Sequence, residues 1–298
     1  MDYAYFPGCS LESTGIEFHM STKAVAKELG INLIEIPDWN CCGASTAHAR
    51  GHWISLALPA RNMAIAEESG LDVAIPCAAC YARCKKAEVE AAKSAETREK
   101  IKEIIGRPYE GKSKARNLTD ILYNDLGPKA IAEKMVKPLK GLKVLTYYGC
   151  LMVRPPELAC DDIEDPISLD EIMKALGAEI IPWGFKTECC GGCLTACSPE
   201  VGLDMVKKIM DAAKKSGADC IVTACPMCHS NLDMRQDQLA KKVGAYDMPV
   251  YFITEMIGLS MGMDPKELGI DRHFVPADAP LKKLAEIEKE ANKEGGEA

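Results

Sequence analysis

The sequence lacks the features that mark several common functional classes. Its 298 residues contain no uncharged apolar segment close to the about 20 residues that span a bilayer. The N-terminus does not have the charged region and apolar stretch of a signal peptide. Acidic residues outnumber basic ones, 44 to 36, and there is no basic run, which argues against a nucleic-acid ligand. We therefore expect a cytoplasmic protein with no nucleic-acid partner and no direct membrane insertion.

Loops that bind nucleotide cofactors are also absent from the sequence. No Gly-x-Gly-x-x-Gly follows a predicted strand, and no Gly-x-x-x-x-Gly-Lys-Ser/Thr loop occurs. The chain also lacks the Cys-x-x-Cys-x-x-Cys-x-x-x-Cys-Pro run of bacterial ferredoxins. It therefore cannot take electrons from NADH by itself, and a redox function requires a partner that supplies electrons.

Cysteine is abundant, with 15 residues in the chain. Disulfide bonds are rare in the reducing cytosol, and an odd number of cysteines does not pair completely. Cysteines at defined spacings in such a protein are instead typical of metal sites or redox centres.

Ten of the cysteines follow a pattern that occurs twice. The first copy consists of Cys9, the pair Cys41-Cys42 and the motif Cys77-x-x-Cys80. The second copy consists of Cys150, the pair Cys189-Cys190 and the motif Cys225-x-x-Cys228, and the interval from the pair to the motif is the same in both copies. A glycine precedes the first cysteine of each copy and another follows each Cys-Cys pair. The agreement in spacing and in flanking residues indicates an internal duplication.

The glycine after each Cys-Cys pair predicts a sharp turn. Adjacent side chains of an extended strand point to opposite faces, so both sulfurs can reach one centre only where the backbone turns. Gly43 and Gly191 permit such a turn because glycine tolerates positive φ.

The remaining five cysteines have no partner in the other copy, and we interpret them as packing thiols. They are Cys84, Cys160, Cys193, Cys197 and Cys220.

The two halves share an alternation of strand and helix patterns. This rhythm predicts an α/β fold with two similar lobes from an internal duplication, each a small, mostly parallel sheet flanked by helices. The first lobe covers residues 1–140 and includes a helical insertion at about 81–136, of which 107–136 has no evident counterpart and is predicted to face a partner. The second lobe covers residues 141–298 and ends in a tail at about 276–298 that is predicted to be mobile.

The number of thiols in each copy indicates the kind of metal centre. Structural zinc takes four ligands in a closed tetrahedron, whereas each copy offers five cysteines. Soft thiolates in this number favour iron–sulfur clusters, with zinc as the alternative. A regular four-iron cube needs only four, so the fifth thiolate bridges, ligates a cluster opened away from the cube, or stays free as a redox thiol.

These motifs resemble the double CCG-domain family and, within it, the B subunit of heterodisulfide reductase. The resemblance covers nearly the whole chain. It implies two noncubane [4Fe-4S] clusters, each delivering one electron, that reduce the mixed disulfide of coenzyme M and coenzyme B to two thiols in methanogenesis. The first cluster would be held by Cys9, Cys41, Cys42, Cys77 and Cys80, and the second by Cys150, Cys189, Cys190, Cys225 and Cys228. Cys41, Cys42, Cys189 and Cys190 would act in catalysis through their clusters.

The resemblance also implies partners and one alternative function. The expected partners are the ferredoxin-like C subunit and the flavin-containing A subunit of the same complex, served by a hydrogenase or a formate dehydrogenase. The alternative is a CCG-type iron–sulfur electron-transfer component of a fumarate/succinate or lactate/glycolate oxidoreductase complex.

Protons and anionic groups on such a substrate need partners from the protein. Five basic side chains lie near the motifs in sequence and are predicted, by proximity alone, to contact the substrate. They are His48, Arg50, His52, Lys186 and His229.

Overall fold

A computed structural model describes residues 1–295, apart from a few side chains that include His48. Two four-stranded sheets form the centre of the fold, and every strand pair in them is parallel. The first sheet contains β1 (Asp2–Tyr5), β2 (Asn32–Glu35), β3 (Val73–Ile75) and β4 (Ala115–Asn117). The second contains β5 (Lys143–Tyr147), β6 (Glu179–Ile180), β7 (Cys220–Thr223) and β8 (Val250–Phe252).

Helices connect the strands and cover both sheets. The helices of the first half are α1 (Ile16–Glu28), α2 (Ala47–Arg50), α3 (His52–Glu67), α4 (Ala78–Lys93), α5 (Ala95–Ile105), α6 (Leu118–Asp120) and α7 (Pro128–Ala132), with a π-helical segment at Ile121–Leu126. Those of the second half are α8 (Ser168–Ala175), α9 (Leu194–Cys197), α10 (Pro199–Ser216), α11 (Pro226–Met234), α12 (Gln236–Val243), α13 (Ile253–Ser260) and α14 (Asp278–Gly295). Short 3-10 turns occupy Pro156–Leu158 and Ile270–Arg272.

The two sheets have the same topology. Their strand orders are β2-β1-β3-β4 and β6-β5-β7-β8. In each sheet the second strand pairs on one side of the first strand and the third strand pairs on its other side. A crevice therefore opens beyond the carboxyl ends of β1 and β3 in the first sheet, and of β5 and β7 in the second. Such crevices are where open parallel sheets bind ligands. The α/β fold with two similar lobes is therefore confirmed.

Helices of each lobe pack against helices of the other lobe at their interface. Helix α1 of the first lobe packs against α13 of the second, and α8 of the second packs against α6 and α7 of the first. The rings of Phe18 and Phe252 stack there at 4.1 Å between centroids, and the hydroxyls of Ser21 and Thr254 lie 2.7 Å apart. Buried side chains of both lobes form one continuous apolar core. This shared core holds the two crevices in a fixed relation.

The segment interpreted as a helical insertion, 81–136, contains a strand that the sequence did not reveal. Residues Ala115–Asn117 form β4, which pairs with β3 at the position that β8 holds in the second sheet. The Asn117 side chain then caps α6 by accepting a hydrogen bond from the Thr119 N–H. The interpretation is therefore wrong in this part, since 115–132 is a repeated element and packs on α8 of the other lobe.

The C-terminal segment also differs from the expectation of a mobile tail over 276–298. Residues Asp278–Gly295 form α14, and Leu281 and Leu284 pack against the apolar core. Residues 296–298 lie outside the described part of the chain. Among the described helices, none is both long and apolar enough to cross a membrane.

Candidate metal centres

The ten paired cysteines lie at the carboxyl ends of the strands, around the two crevices. Cys9 follows β1, Cys41 and Cys42 follow β2, and Cys77 follows β3 as the N-cap of α4, which carries Cys80 in its first turn. The second lobe repeats this arrangement with β5, β6, β7 and α11. The positive end of a helix dipole therefore points at each Cys-x-x-Cys pair and offsets part of the cost of a thiolate there. Neighbouring thiols and burial nevertheless raise the pKa of Cys77, Cys80 and Cys228.

The thiols of the first site form a connected group. The Sγ atoms of Cys9 and Cys41 are 3.8 Å apart, and those of Cys42 and Cys80 are 3.2 Å apart. Cys77 is hydrogen-bonded to Cys80. Cys9 and Cys41 are exposed, whereas Cys42, Cys77 and Cys80 are buried. The site thus has a buried floor of three thiols and a solvent-facing rim of two.

The second site has the same design. Cys190 and Cys228 are 3.7 Å apart at their Sγ atoms, and Cys150 is hydrogen-bonded to Cys189. Cys190, Cys225 and Cys228 are buried, whereas Cys150 and Cys189 are partly exposed. Each thiol of the second site therefore has an equivalent thiol in the floor or the rim of the first site.

The Cys-Cys-Gly triplets make the predicted turn. Gly43 and Gly191 have φ of 73° and 87°, a region that favours glycine. Their backbone N–H groups point back to the sulfurs of Cys41 and Cys189, at 3.5 and 3.4 Å. Hydrogen bonds of this kind stabilise negative charge on a ligating sulfur and tune the potential of a bound cluster.

Aromatic pairs back both sites. Phe6 and Trp39 meet edge to face at 5.6 Å between ring centroids, and Tyr147 and Trp183 lie 6.2 Å apart in the second lobe. The Tyr147 hydroxyl donates to the carbonyl of Glu188 at 2.6 Å, which fixes the residue before Cys189. These rings limit water access beneath the thiols.

The two sites adjoin across the lobe interface. The thiols of Cys77 and Cys225, one from each floor, are close enough that each shifts the pKa of the other, raising that of Cys77 and lowering that of Cys225. Gly15 lies directly against Pro226, since a Cβ built on Gly15 would be 3.0 Å from the Pro226 ring. The floors of the two sites therefore meet at the lobe interface.

The protonation of these thiols bears on whether the donor set fits a cation. Interactions with the neighbouring thiols of Cys41 and Cys80 lower the pKa of the Cys42 thiol to about 4, and the interaction with Cys150 lowers the pKa of Cys189 to about 6. The same contacts raise the pKa of Cys41 and Cys150. Because each thiol ionises at the expense of its neighbour, all five can become thiolates only around positive charge. The residues therefore fit a metal centre.

The arrangement of the donors bears on the kind of centre they could hold. Among the residues that the structure describes, no group of three or more His, Cys, Asp or Glu side chains converges as ligands of a single metal ion do. A multinuclear cluster spreads its ligands over several irons, and soft thiolates suit iron and sulfide.

The five predicted substrate contacts have different surroundings. Arg50 is exposed at the end of α2, and His52 is exposed at the start of α3, with its ring against Trp53. The side chain of His48 lies outside the described residues. Substrate contact stays a prediction for these three side chains.

The other two predicted contacts are engaged with protein groups, and substrate contact stays a prediction for them as well. Lys186 forms ion pairs with Asp165 and Asp170, both at 2.7 Å. His229 is only 3% exposed, and its Nε2 contacts the carbonyl oxygen of Val250 at 2.9 Å. Both residues are therefore positioned to support the second site from inside the protein.

The unpaired cysteines divide into two groups. Cys84 and Cys220 are fully buried, and the Cys160 thiol donates to the carbonyl of Met152, so these three pack as predicted. Cys193 and Cys197 are exposed on the helical turn after the second triplet, so the prediction that they are packing thiols is wrong.

A buried group of acids and histidines behind the second site was missed by the sequence analysis. Glu17 comes from α1 of the first lobe, and its carboxylate lies 3.9 Å from the Nδ1 atom of His229. His273 contacts Glu255 at 2.9 Å, and both side chains are fully buried. No spacing connects these residues, because they come from four separate segments of the chain.

Burial gives Glu17 a pH-dependent effect on stability. It raises the pKa of the carboxyl to about 7, with the nearby charges of Glu255 and Asp233 adding to the shift and His273 opposing it. Between pH 4.5 and 7 the folded protein holds a proton that the unfolded chain releases, so stability falls as pH rises through this window. Glu17→Gln, which has no such proton, should gain on the order of 1 kcal/mol relative to the parent between pH 5 and pH 8, allowing for solvent screening. Melting temperatures of both proteins at the two pH values measure this gain, and an unchanged difference would contradict it.

Comparison with known proteins assigns the family. The family model described as a cysteine-rich domain, CCG, matches the chain twice, over residues 3–85 and 144–233. This chain belongs to the CCG cysteine-rich domain family. Each match contains one complete set of five cysteines, so the family boundaries coincide with the two sites built above.

Several relatives of known name align with nearly the whole CCG chain. The B subunit of ferredoxin:CoB-CoM heterodisulfide reductase from Methanosarcina mazei is 32% identical over 293 residues, covering 95% of this chain and 96% of the relative. A protein of Archaeoglobus profundus, named as similar to the B subunit of heterodisulfide reductase, is 34% identical, with coverages of 95% and 98%. The 8-methylmenaquinol:fumarate reductase membrane anchor subunit of Wolinella succinogenes is also 34% identical, with coverages of 93% and 98%. The resemblance to the B subunit of heterodisulfide reductase is thus confirmed.

A solved structure shares the fold. The crystal structure of a hypothetical protein from Helicobacter pylori matches with a TM-score of 0.73 and 14% sequence identity. The match covers 93% of this CCG chain but only 52% of the protein from Helicobacter pylori, so this chain spans about half the length of that protein. At this identity the likeness shows the architecture alone.

Proposed function

We propose that the CCG chain holds two iron–sulfur clusters, one on each set of five thiolates, and that both are noncubane four-iron clusters. The support is the donor set: ten thiols in two equivalent groups, each with a buried floor, a solvent-facing rim and N–H groups directed at a rim sulfur. A fifth ligand per cluster is one more than a regular cube uses.

We further propose that the clusters reduce the mixed disulfide of coenzyme M and coenzyme B. The observation that carries this proposal is the proximity of the floor thiols Cys77 and Cys225, which interact across the lobe interface and so bring the two equivalent sites next to each other. Reduction of a disulfide takes two electrons and two protons and yields two thiols. Two like centres that flank one S–S bond can each supply one electron.

The residues of the chain then have separable roles. When bound, the clusters supply the electrons and the Lewis acidity of iron. The rim cysteines Cys9 and Cys150 border the opening through which a substrate approaches. The cysteines of the two Cys-Cys pairs act through the clusters, because each turn holds a rim thiol and a floor thiol side by side. These cysteines are Cys41, Cys42, Cys189 and Cys190. The buried floors keep water from the reduced centres.

The proposal includes partner proteins, because the chain carries no nucleotide loop of its own. They would be a ferredoxin-like C subunit and a flavin-containing A subunit in one cytoplasmic complex, served by a hydrogenase or a formate dehydrogenase in methanogenesis. Relatives named as subunits of heterodisulfide reductases support membership of a larger assembly.

A second function is supported by the relative from Wolinella succinogenes. Its name assigns it to a fumarate reductase, and its identity to this chain, 34%, equals that of the relative from Archaeoglobus profundus. The second proposal is therefore an iron–sulfur electron-transfer component of a fumarate reductase complex, with the same ten ligands.

Oxidation of the reduced protein separates the two functions. We expect anaerobically purified, chemically reduced protein to be reoxidised rapidly by the coenzyme M–coenzyme B disulfide, with two thiols formed per disulfide consumed. Fumarate and menaquinone analogues should leave it reduced, because they have no S–S bond to span the two sites. Stopped-flow absorbance and a thiol assay measure both results, and reoxidation by fumarate with no reaction of the disulfide would favour the second function.

A further inference from the structure

The two sites match in their thiols but differ in one charged neighbour. The fourth residue after the first cysteine is Ser13 in the first lobe and Arg154 in the second. Both residues bond to that cysteine: the Ser13 hydroxyl donates to the carbonyl of Cys9 at 2.8 Å, and the Arg154 backbone N–H donates to the carbonyl of Cys150 at 2.9 Å. The second site therefore has a guanidinium where the first has a hydroxyl.

The guanidinium lies over the rim of the second site. Its Nη2 donates to the Thr187 hydroxyl at 3.4 Å, two residues before Cys189. The side chain is exposed, and among the described residues no carboxylate pairs with it within 4.0 Å. Its charge is thus available to a ligand.

A planar guanidinium binds oxyanions through parallel N–H donors. An anionic group only a few bonds from a sulfur that contacts the second site would lie within its reach. At the equivalent position of the first site, Ser13 uses its hydroxyl on the Cys9 carbonyl and offers no charge. Because of this difference in charge, the half of an unsymmetrical disulfide that carries an anionic group near its sulfur would bind more tightly at the second site than at the first.

We propose that Arg154 orients the disulfide substrate by binding the oxyanion of the half whose charge lies closest to its sulfur, so that this half reacts at the Cys150/Cys189 rim. The inference rests on the proposed function and extends it to substrate orientation. Of the two halves of the proposed substrate, the one that carries a sulfonate two carbons from its sulfur fits this position.

Equilibrium binding of two thiols of matched length tests the proposal. The probes are 2-mercaptoethanesulfonate and 2-mercaptoethanol, titrated calorimetrically into the intact anaerobic protein. We expect the parent to prefer the sulfonate, and Arg154→Gln to weaken sulfonate binding about tenfold, as for loss of a hydrogen bond to a charged group, with no change for the neutral thiol. Arg154→Lys should retain part of the preference, because it keeps the charge without the planar fork.

Arg107→Gln is the matched control, since it removes the same charge from an ion pair with Glu68 in a segment that contributes no thiol. It should bind both probes as the parent does. Equal affinity of the parent for the two probes, or an unchanged preference in Arg154→Gln, would overturn the inference. Reaction with the heterodisulfide is measured separately on the parent, so failure of the proposed function is seen there and not confused with failure of the role of Arg154.

Discussion

Cys189→Ser is expected to remove one of two metal centres, leaving about half of the iron and lowering disulfide turnover by more than about 100-fold. Serine is a hard, poorly ionised ligand in place of a soft thiolate, and even changes in the outer shell of metal ligands cost 10–100-fold. Cys41→Ser should have the same effect at the first site, because the two rims have the same design. Iron content and single-turnover kinetics of the anaerobic proteins measure both losses.

The control for these variants is Cys197→Ser, which makes the same change at an exposed thiol outside the ten. It should keep the iron and the turnover of the parent. If Cys189→Ser also kept both, the second set of thiols would not be a metal site and the account of paired centres would fail.

Gly8→Ala and Gly149→Ala are expected to prevent a centre from forming in the altered lobe. A Cβ built on Gly8 would lie 2.7 Å from the Sγ of Cys80, and one on Gly149 would lie 2.9 Å from the Sγ of Cys228. Atoms do not approach so closely, so the loop that carries the first cysteine would move away from the floor thiol. We expect loss of about half of the iron, together with a destabilisation of about 1–3 kcal/mol from the left-handed backbone.

Gly30→Ala separates the cost of the left-handed backbone from the effect of a new Cβ that approaches a thiol. Its φ of +69° is close to the +73° of Gly8, but a Cβ there would meet nothing within 4 Å. It should therefore show only the backbone cost in its melting temperature and keep all its iron. Equal iron content in Gly8→Ala and Gly30→Ala would show that the thiol approach at Gly8 is not needed for the centre.

The grouping of the ten cysteines could be predicted because the duplication repeats their spacing and places each of them after a strand or at the start of the helix that follows one. Strands such as Val73–Ile75 and Val250–Phe252 have apolar, β-branched or aromatic residues, and glycines or prolines limit them. Parallel strands end at the same edge of a sheet, so cysteines that follow them must meet there. The tight turns at Gly43 and Gly191 followed from the same reasoning.

Other features depend on contacts that sequence spacing does not encode. Strand β4, Ala115–Asn117, is too short and too polar to show a period, and only its pairing with β3 defines it. The stacking of Phe18 on Phe252 depends on how the two lobes dock. Arg154 is one of many charged residues in the sequence, and only the folded loop places it beside Cys189.

Metal content of the parent protein tests the central claim most directly. Anaerobically purified chain should contain about eight iron atoms with sulfide, four for each cluster, and should show two centres by spectroscopy. Iron for a single centre, or zinc in place of iron, would contradict the claim that the two groups of five thiolates hold a matched pair of iron–sulfur clusters.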